Sequence, residues 1–437
     1  MKWEKNITIG GFFDRQADKM PHQKALIGFG HEHFTFNELK NISDLLARGM
    51  IDLGVRKGDK VAVWAHNIPE WVFLFLGLSK IGAVMVPINP SVGAQELLYD
   101  LKKADVNFLF LMGSFKGIDY LEILYRAISD LKILSSGKVQ SEELPFLRSI
   151  ITIGETTFSE FISFPEILYN AHKVRESEFC NIRQKVSPFD TFIIKFTCGV
   201  TGYARGAMLT HFGLINNAQP IAKKLNFNPS DILCLPVPFS YIFGFWLGLM
   251  VSFSTHTPIV IIPKYSAFEI LKTIEQKACT AIYGVPTMFS DMLNHPSFAS
   301  FDMSSLRTGI MSGDYCPPKL VKKTIENMPI PELTIAYGAT EVGIVTQTSW
   351  NEAHEKSIST IGQLLDGMAV KIINPESGET LPPGEKGEIC VRSPVIMKGY
   401  YNMPRETSEI IDREGWFHTG DLGVSDEEGY YLSLIHI

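Results

Sequence analysis

The chain has 437 residues, of which 45% are apolar and 20% are charged, so it can bury a large core and does not have the composition of a disordered protein. Its 40 Lys and Arg residues are outnumbered by 47 Asp and Glu residues, which gives a formal net charge of −7. General binding to nucleic acid depends on a basic excess that releases counterions from phosphates. We therefore expect no nucleic-acid partner.

The cysteines and the N-terminus indicate an intracellular protein. The cysteines form neither a CxxC pair nor a metal-ligand spacing, as expected in a reducing compartment; they are Cys180, Cys198, Cys234, Cys279, Cys316 and Cys390. Residues 1–6 lack the apolar run of a secretory signal. Two apolar stretches, at 71–88 and 241–262, are interrupted by polar residues and prolines. Each predicts a buried helix followed by a strand, and not a membrane span.

The first half of the chain alternates helices with short apolar strands. Thr35 and Glu38 have the spacing of a capping box, and apolar residues at helical spacing follow as far as Gly54, which suits a helix C-terminus. Asn67 is predicted to cap a second helix, with Pro69 in its first turn. A further helix is predicted at 96–103, and strands are predicted at 61–65, 83–88 and 108–111. This alternation is typical of βαβ units and a mostly parallel sheet.

A second α/β block and a smaller β-rich region follow. Helices are predicted at 268–278 and 318–328, and strands at 280–283, 306–311 and 333–336. Residues 113–188 are less regular and are expected to form a connecting or edge region. From residue 346 onward, short strands such as 369–373 and 387–391 alternate with turn signals. The predicted fold class is α/β, with two βαβ-type sheet subdomains and a small β-rich, barrel-like subdomain.

The segment richest in chemical information is a glycine-rich loop after the predicted strand 192–196. Residues 197–206 read TCGVTGYARG, with three glycines, two threonines and Arg205. Glycines let backbone amides approach phosphate oxygens, and the hydroxyls and the guanidinium add charge-assisted hydrogen bonds. The loop matches neither the GxxxxGK[ST] pattern nor the GxGxxG pattern. For the loop considered by itself, an ordinary glycine-rich turn is the alternative.

Further segments, in order along the chain, give the loop a family resemblance. Residues 337–341 read YGATE, and residues 415–423 read GWFHTGDLG. Together with the loop they resemble the motifs of the adenylate-forming superfamily, which includes acyl-CoA synthetases, 4-coumarate:CoA ligases and beetle luciferases. Residues 282–289 and 395–401 are most similar to the medium-chain fatty acyl-CoA synthetase branch. The resemblance covers almost the whole chain.

The resemblance implies an ATP- and Mg²⁺-dependent reaction that joins a fatty acid to coenzyme A through an acyl-adenylate. The phosphates of ATP would lie against Thr197, Cys198, Gly199, Val200, Thr201, Gly202, Tyr203, Ala204, Arg205 and Gly206. The rest of the nucleotide would contact Ser312, Gly313, Asp314, Tyr337, Gly338, Thr340 and Asp421. Glu341 would hold Mg²⁺, and the acyl pocket would be lined by Tyr241, Gly284, Val285 and Met288. The catalytic residues implied are Arg205, Tyr241, Thr340 and Glu341.

Some residues depart from the family pattern. Arg205 stands where family loops carry Lys, Val200 where a hydroxyl residue is usual, and Tyr241 where His is usual. Asp314 adds a carboxylate beside the expected adenine site. Each lost hydrogen bond to a charged group costs about 1.5–3 kcal/mol, so a weak or inactive nucleotide-binding or acyl-binding protein is the alternative function. A luciferase-like oxygenase is a third candidate on the same fold.

The resemblance also sets the expected domain organisation. Residues 1–424 would form a large N-terminal AMP-binding domain, and residues 425–437 would be the remnant of a hinge and C-terminal domain. Residues 427–437 do not contain the hinge sequence of the family, so we expect a truncated chain that has lost most adenylation activity and the thioester step. The expected substrates are a fatty acid, ATP and coenzyme A, and the expected compartment is mitochondrial or cytoplasmic.

Overall fold

The computed structural model describes residues 3–28, 32–134, 137–154, 158, 160–198, 204–352 and 354–434. Within them, two large sheets packed against helices and a smaller antiparallel sheet make up the fold. The α-helices are α1 (Ile9–Lys19), α2 (Phe36–Leu53), α3 (Pro69–Ile81), α4 (Ala94–Lys103), α5 (Tyr120–Ala127), α6 (Phe164–Asn170), α7 (Glu176–Gln184), α8 (His211–Leu225), α9 (Val251–Thr255), α10 (Ala267–Lys277), α11 (Pro286–Leu293), α12 (Pro318–Asn327), α13 (His354–Ser359) and α14 (Pro404–Ile410). A π-helix, Phe243–Met250, leads directly into α9.

The larger sheet is parallel at its centre and antiparallel at both ends. Its strands lie in the order β2 (His33–Thr35), β1 (Lys24–Ile27), β15 (Ile259–Ile261), β14 (Leu233–Leu235), β16 (Ala281–Gly284), β17 (Thr308–Met311), β18 (Glu332–Ala339), β19 (Gly343–Gln347) and β20 (Gln363–Leu364). The parallel run from β15 to β18, with helices between its strands, confirms the predicted second α/β block.

The second sheet comes from the first half of the chain. Its strands lie in the order β11 (Ile162–Ser163), β10 (Ser149–Ile153), β5 (Phe108–Met112), β3 (Lys60–Trp64), β4 (Val84–Ile88), β12 (Thr191–Cys198) and β13 (Ala204–Thr210). Neighbouring strands are parallel except β12 and β13, which form a hairpin at one edge. Strands β10 and β11, from the less regular region, lie at the other edge, as predicted.

The C-terminal region forms a separate antiparallel sheet. Its strands are β21 (Ala369–Ile373), β22 (Gly387–Arg392), β23 (Phe417–Ser425) and β24 (Tyr431–Ser433). The remaining described strands form two short hairpins, β6 (Ser114–Phe115) with β7 (Ile118–Asp119) and β8 (Lys132–Ile133) with β9 (Val139–Gln140). The predicted α/β class with a small β-rich subdomain is confirmed.

Two helix starts show what local sequence decides and what tertiary contacts override. The hydroxyl of Thr35 accepts from the Glu38 amide at 3.2 Å, and the Glu38 carboxylate accepts from the Thr35 amide at 2.7 Å, so the capping box of α2 is confirmed. The prediction that Asn67 caps α3 is wrong, because Ile68 is the residue that precedes this helix. The Asn67 amide instead donates to the carbonyl of Val237 at 2.9 Å. This hydrogen bond joins the segment that follows β3 of the second sheet to the segment after β14.

Both long apolar stretches are buried inside the fold. Residues 71–88 form most of α3 and then β4, and residues 241–262 contain the π-helix, α9 and β15. The predicted arrangement of helix followed by strand is confirmed. In the part of the chain that the structure describes, no helix is both long enough and apolar enough to cross a membrane.

The close pairing of β18 with β19 requires glycine at position 338. A Cβ at Gly338 would lie 2.0 Å from the carbonyl oxygen of Gly343. We expect Gly338→Ala to lower the free energy of unfolding by about 3 kcal/mol, because one of the two paired backbones must move. Chemical denaturation measures this change. The control is Gly11→Ala, whose nearest neighbour is the flexible side chain of Ile7 at 3.2 Å; equal losses in both variants would contradict the prediction.

Candidate active site

The carboxyl ends of β17 and β18 lead into a cavity of about 370 Å³, which we call the strand-end cavity. Open α/β sheets bind ligands in the crevice outside the carboxyl ends of their strands. Several residues predicted to bind the nucleotide line this cavity: Ser312, Gly313, Asp314, Tyr337, Gly338 and Asp421. They come from three separate segments of the sequence, so the fold brings together residues that local pattern alone could not connect.

The turn after β17 forms one wall of the strand-end cavity. The buried hydroxyl of Ser312 donates to the carbonyl of Ala336 at 2.6 Å, which ties this turn to β18. Gly313 has φ +87°, a left-handed conformation that favours glycine. A Cβ at this position would also lie 3.2 Å from a methyl group of Val285. Asp314 is exposed at the rim, so the wall offers mainly backbone and small side chains to a ligand.

A hydrogen bond between Tyr337 and Asp421 holds another wall. The hydroxyl of Tyr337 donates to Oδ2 of Asp421 at 2.7 Å. Burial, and then the neighbouring Asp421 carboxylate, raises the pKa of Tyr337, so the phenol keeps its proton and remains a donor. The Asp421 amide is held by the hydroxyl of Thr419 at 3.0 Å. A carboxylate offers about four acceptor positions, so Asp421 can also accept from hydroxyl groups of a ligand.

Strands β12 and β13 pair as a hairpin and contain the first and last residues of the glycine-rich loop. The pairing of the two strands extends to Cys198 and Ala204. The residues between them lie outside the described part of the chain: Gly199, Val200, Thr201, Gly202 and Tyr203. On the second strand, the carbonyl of Gly206 accepts from the Tyr401 amide at 2.8 Å. The base of the loop is therefore fixed to the segment that precedes α14.

Four side chains meet beside this hairpin and form what we call the Glu341 cluster: Thr197, Arg205, Glu341 and Tyr400. The hydroxyls of Thr197 and Tyr400 both donate to Oε1 of Glu341, at 3.1 Å and 3.0 Å. The guanidinium carbon of Arg205 lies 5.4 Å from the centre of the Tyr400 ring. Burial and the Glu341 carboxylate raise the pKa of Tyr400, so its hydroxyl stays protonated and donates.

The Glu341 carboxylate is fixed through one of its two oxygens. Its side chain is largely buried, and its carbonyl accepts from the Met397 amide at 2.7 Å. Among the described residues, both hydrogen bonds to the carboxylate end on Oε1, which leaves Oε2 to bind a cation. Mg²⁺ is usually held by one or two carboxylates together with phosphate oxygens, so this oxygen donor beside a phosphate-type loop suits it. Thr340 lies next to Glu341, half-buried in the turn between β18 and β19.

Three of the four residues predicted to line an acyl pocket lie beside the strand-end cavity. Gly284 ends β16, and the Ser312 amide donates to its carbonyl at 3.2 Å. Val285 precedes α11, and its carbonyl accepts from the Met288 amide at 3.0 Å. The acyl-pocket residues and the wall formed by the turn after β17 are therefore neighbours.

The fourth acyl-pocket residue, Tyr241, lies against side chains of the second sheet. Its hydroxyl accepts from the amide of Asn89 at 3.0 Å, and its ring centre lies 5.0 Å from the ammonium of Lys195. Lys195 is only 7% exposed. Because side chains alternate along a strand, it lies on the same face of β12 as Thr197. Tyr241 therefore shares its surroundings with a buried cation.

A buried carboxylic acid lies near Lys195. Asp100, on α4, is buried, and its Oδ1 has no hydrogen-bond partner among the described residues. Burial raises the pKa of Asp100 to about 7, an effect that Lys195 opposes and Glu96 reinforces. The folded protein therefore disfavours the charged form of Asp100 near neutral pH.

Sequence reasoning missed Asn89, Lys195 and Tyr400. Asn89 directly follows β4. A polar residue at the carboxyl end of a parallel strand is a sequence signal from which a site residue could have been predicted. A lysine in an otherwise apolar strand is a second usable signal, because lysine is rarely buried. Tyr400 lies in the segment 395–401 that carries part of the family resemblance, but its contact with Glu341 depends on the pairing of this segment with Ala207 and its neighbours.

Comparisons with known proteins agree with one another. A family model described as AMP-binding enzyme matches residues 13–401. The chain is 37% identical over 425 residues to YngI of Bacillus subtilis, covering 97% of this chain and 77% of that protein. It is 32% identical over 438 residues to the mitochondrial medium-chain acyl-CoA ligase ACSF2 of Bos taurus, covering 97% of this chain and 70% of that protein. A long-chain-fatty-acid-CoA ligase of Archaeoglobus fulgidus superposes with a TM-score of 0.86 at 25% identity, over 100% of this chain and 85% of that chain.

The raised pKa of Asp100 predicts a pH-dependent stability. The folded pKa of about 7 lies above the ordinary value of 3.8, so the folded state binds the proton more tightly and stability falls as pH rises from about 4 to about 7. Asp100→Asn should remove this fall, which we expect to be about 2–4 kcal/mol. Thermal unfolding across this pH range measures it. The exposed control Asp366→Asn should keep the slope of the parent chain, and an unchanged slope in Asp100→Asn would contradict the prediction.

Proposed function

Because this chain belongs to the AMP-binding enzyme family, we propose that it activates a fatty acid with ATP and transfers the acyl group to coenzyme A. The observation that carries the proposal is that two groups of hydrogen-bonded side chains lie at the end of one strand, β18. Tyr337 pairs with Asp421, and Glu341, four residues further on, holds Thr197 and Tyr400. Four residues span at most about 14 Å, so a sugar site and a phosphate site lie within the length of one nucleotide.

The proposed reaction has two halves. A carboxylate oxygen of the acid attacks the α-phosphorus of ATP, and the bond to the bridging oxygen breaks so that pyrophosphate leaves with the electron pair. The sulfur of coenzyme A then attacks the acyl carbon, AMP leaves with the electron pair of the acyl–oxygen bond, and the thiol proton passes to solvent. The acid needs no general base because it is already ionised near neutral pH. The protein must supply alignment and compensation of negative charge.

The residues of the Glu341 cluster suit the phosphate end of this reaction. Arg205 places a permanent positive charge beside the loop, and Thr197 adds a hydroxyl at its base. Thr340 would donate its hydroxyl to the α-phosphate, and Glu341 would hold Mg²⁺. When bound, Mg²⁺ neutralises charge on the phosphate oxygens. Tyr400 keeps the Glu341 carboxylate in one orientation, which limits the reorganisation needed when the substrate arrives.

The strand-end cavity suits the remaining parts of the substrates. Asp421 accepts the ribose hydroxyls, and Tyr337 fixes the orientation of its carboxylate. Ser312, Gly313 and Asp314 line the adenine. The fatty acid lies against Gly284, Val285 and Met288, and the names of the acyl-CoA ligase relatives support this substrate class. Tyr241, next to Lys195, stands where the acyl group and the thiol would meet.

Residues 1–424 form the AMP-binding domain in this proposal. An intracellular compartment is supported by the free thiols that the structure describes: Cys180, Cys234, Cys279, Cys316 and Cys390. The name of the bovine relative places that protein in mitochondria.

A second candidate function is nucleotide binding without turnover. It is favoured by the position of Arg205, whose planar guanidinium lies over the Tyr400 ring and is not equivalent to the compact ammonium of lysine. Calorimetry with ATP combined with a hydroxamate-trapping assay separates the two functions, because a non-catalytic protein binds the nucleotide but forms no octanoyl hydroxamate. A strong gain of hydroxamate formation in Arg205→Lys would show that this position limits the activity.

Removing the charge of Glu341 should remove most of the activity. Glu341→Gln keeps the shape of the side chain, and we expect octanoate-dependent exchange of pyrophosphate into ATP to fall at least about 100-fold, equal to about 2.7 kcal/mol. Calorimetric ATP affinity should also lose its dependence on Mg²⁺. The control is Glu326→Gln, an exposed carboxylate of α12. Exchange at the parent rate in Glu341→Gln would refute the assigned role.

Removing only the hydroxyl of Tyr400 should also slow the same reaction. Tyr400→Phe keeps the ring beside Arg205 and removes one hydrogen bond to a charged group, which predicts a loss of roughly 10-fold to 150-fold in the exchange rate. Tyr401→Phe is a matched control, because the neighbouring hydroxyl donates to Asp105 at 2.9 Å and does not contact Glu341. Equal rates for the two variants would count against a positioning role for Tyr400.

A further inference from the structure

Three residues with metal-binding side chains meet on the small antiparallel sheet and take no part in the proposed reaction. Glu388 and Cys390 lie two residues apart on β22, and His418 lies opposite Cys390 on β23. Because side chains alternate along a strand, Glu388 and Cys390 lie on the same face of the sheet. The strand register therefore places a carboxylate, a thiol and an imidazole together.

Two of the separations between the three donor atoms are close to those around a single ion. Nδ1 of His418 lies 3.1 Å from Oε2 of Glu388 and 3.6 Å from Sγ of Cys390. All three donor atoms lie within 4.8 Å of one another. In a tetrahedral zinc site, with Zn–S near 2.3 Å and Zn–N and Zn–O near 2.0–2.2 Å, neighbouring donors are roughly 3.3–3.6 Å apart. An ion can therefore bind between these side chains with little movement of the backbone.

Neighbouring groups contact two of these ligands, through an ion pair to His418 and a hydrogen bond to Glu388. The other ring nitrogen of His418, Nε2, lies 3.7 Å from Oδ2 of Asp412. A carboxylate on the far nitrogen of a histidine is a common second partner in zinc sites, where it keeps the ligating nitrogen deprotonated. The second oxygen of Glu388, Oε1, accepts from the Gly420 amide at 3.0 Å, so Oε2 faces His418. Asp412 is itself held by the Trp416 amide at 2.9 Å.

The cluster is partly open to solvent. Cys390 is fully buried, whereas 31% of the His418 side chain and 17% of the Glu388 side chain are exposed. An ion can therefore enter from the side of His418, and water can supply a fourth ligand. A set of one thiolate, one imidazole and one carboxylate suits a borderline-soft ion better than Mg²⁺ or Ca²⁺, which prefer oxygen donors alone.

We propose that Glu388, Cys390 and His418 form a zinc(II) site with tetrahedral geometry, completed by a water molecule. On binding, the ion takes the place of the thiol proton, which passes to solvent. The site is joined to the part of β23 that carries Asp421, because Gly420 donates to Glu388 and Thr419 donates to the carbonyl of Ile389 at 2.7 Å. The ion would therefore stabilise this part of β23.

Cobalt(II) is the probe that tests the site, because it replaces zinc and reports its ligands by absorption. Titration of the metal-free full chain should give one equivalent of tetrahedral cobalt, with intense visible bands and a thiolate-to-cobalt charge-transfer band. One equivalent of zinc(II) should then abolish these bands. Absence of the charge-transfer band, or a weak spectrum typical of octahedral cobalt, would overturn the proposal.

Variants separate this site from other thiols. Cys390→Ser should lose the charge-transfer band, and His418→Gln should lose the tetrahedral spectrum, whereas Cys180→Ser, which removes an exposed thiol, should keep both. Asp412→Asn leaves the three ligands in place and should weaken cobalt affinity about 10-fold to 100-fold. Circular dichroism confirms that each variant is folded. A charge-transfer band of parent strength in Cys390→Ser would overturn the proposal, because it would place the metal on another cysteine.

Discussion

The Glu341 carboxylate is the point at which the parts of this molecule are joined. Its Oε1 accepts from Thr197 of the hairpin in the second sheet and from Tyr400 of the segment before α14, while Glu341 itself follows the last strand of the parallel run in the larger sheet. A hydrogen bond to a charged group contributes about 1.5–3 kcal/mol. The larger consequence is geometric, because two donors on one oxygen fix the plane of the carboxylate and direct Oε2 to one place.

The strand-end cavity depends on a different constraint, which is backbone shape. Gly313 adopts a left-handed conformation and Gly338 touches the neighbouring strand, so the cavity lining contains two positions that do not admit a larger residue without strain. Side chains with chemical function are then added at the rim, where Asp421 reaches the cavity from the small sheet through Tyr337. A rigid floor of parallel strand ends with variable rim residues allows one fold to accept different acids.

Glu388 repeats the arrangement seen at Glu341. In each carboxylate, one oxygen accepts hydrogen bonds from the protein. The donor is the Gly420 amide for Glu388, and the donors are two hydroxyls for Glu341. The other oxygen of each carboxylate is directed at the proposed cation position. The partners of the two sites differ in kind. A thiol and an imidazole accompany Glu388, whereas a phosphate-type loop and Arg205 accompany Glu341, so the two sites are expected to select different ions.

The sequence by itself determined the α/β class, most helix and strand positions, the capping box at Thr35 and the motif residues of the site, because hydrophobic period and short motifs are properties of neighbouring residues. It did not determine which segments meet. The Asn67 cap failed because a tertiary hydrogen bond to Val237 replaced the local one. The contact of Tyr400 with Glu341, the packing of Tyr241 against Lys195 and the meeting of Cys390 with His418 join residues from 28 to 59 positions apart. Such pairs are set by strand order and register, which only the packing of the whole chain decides.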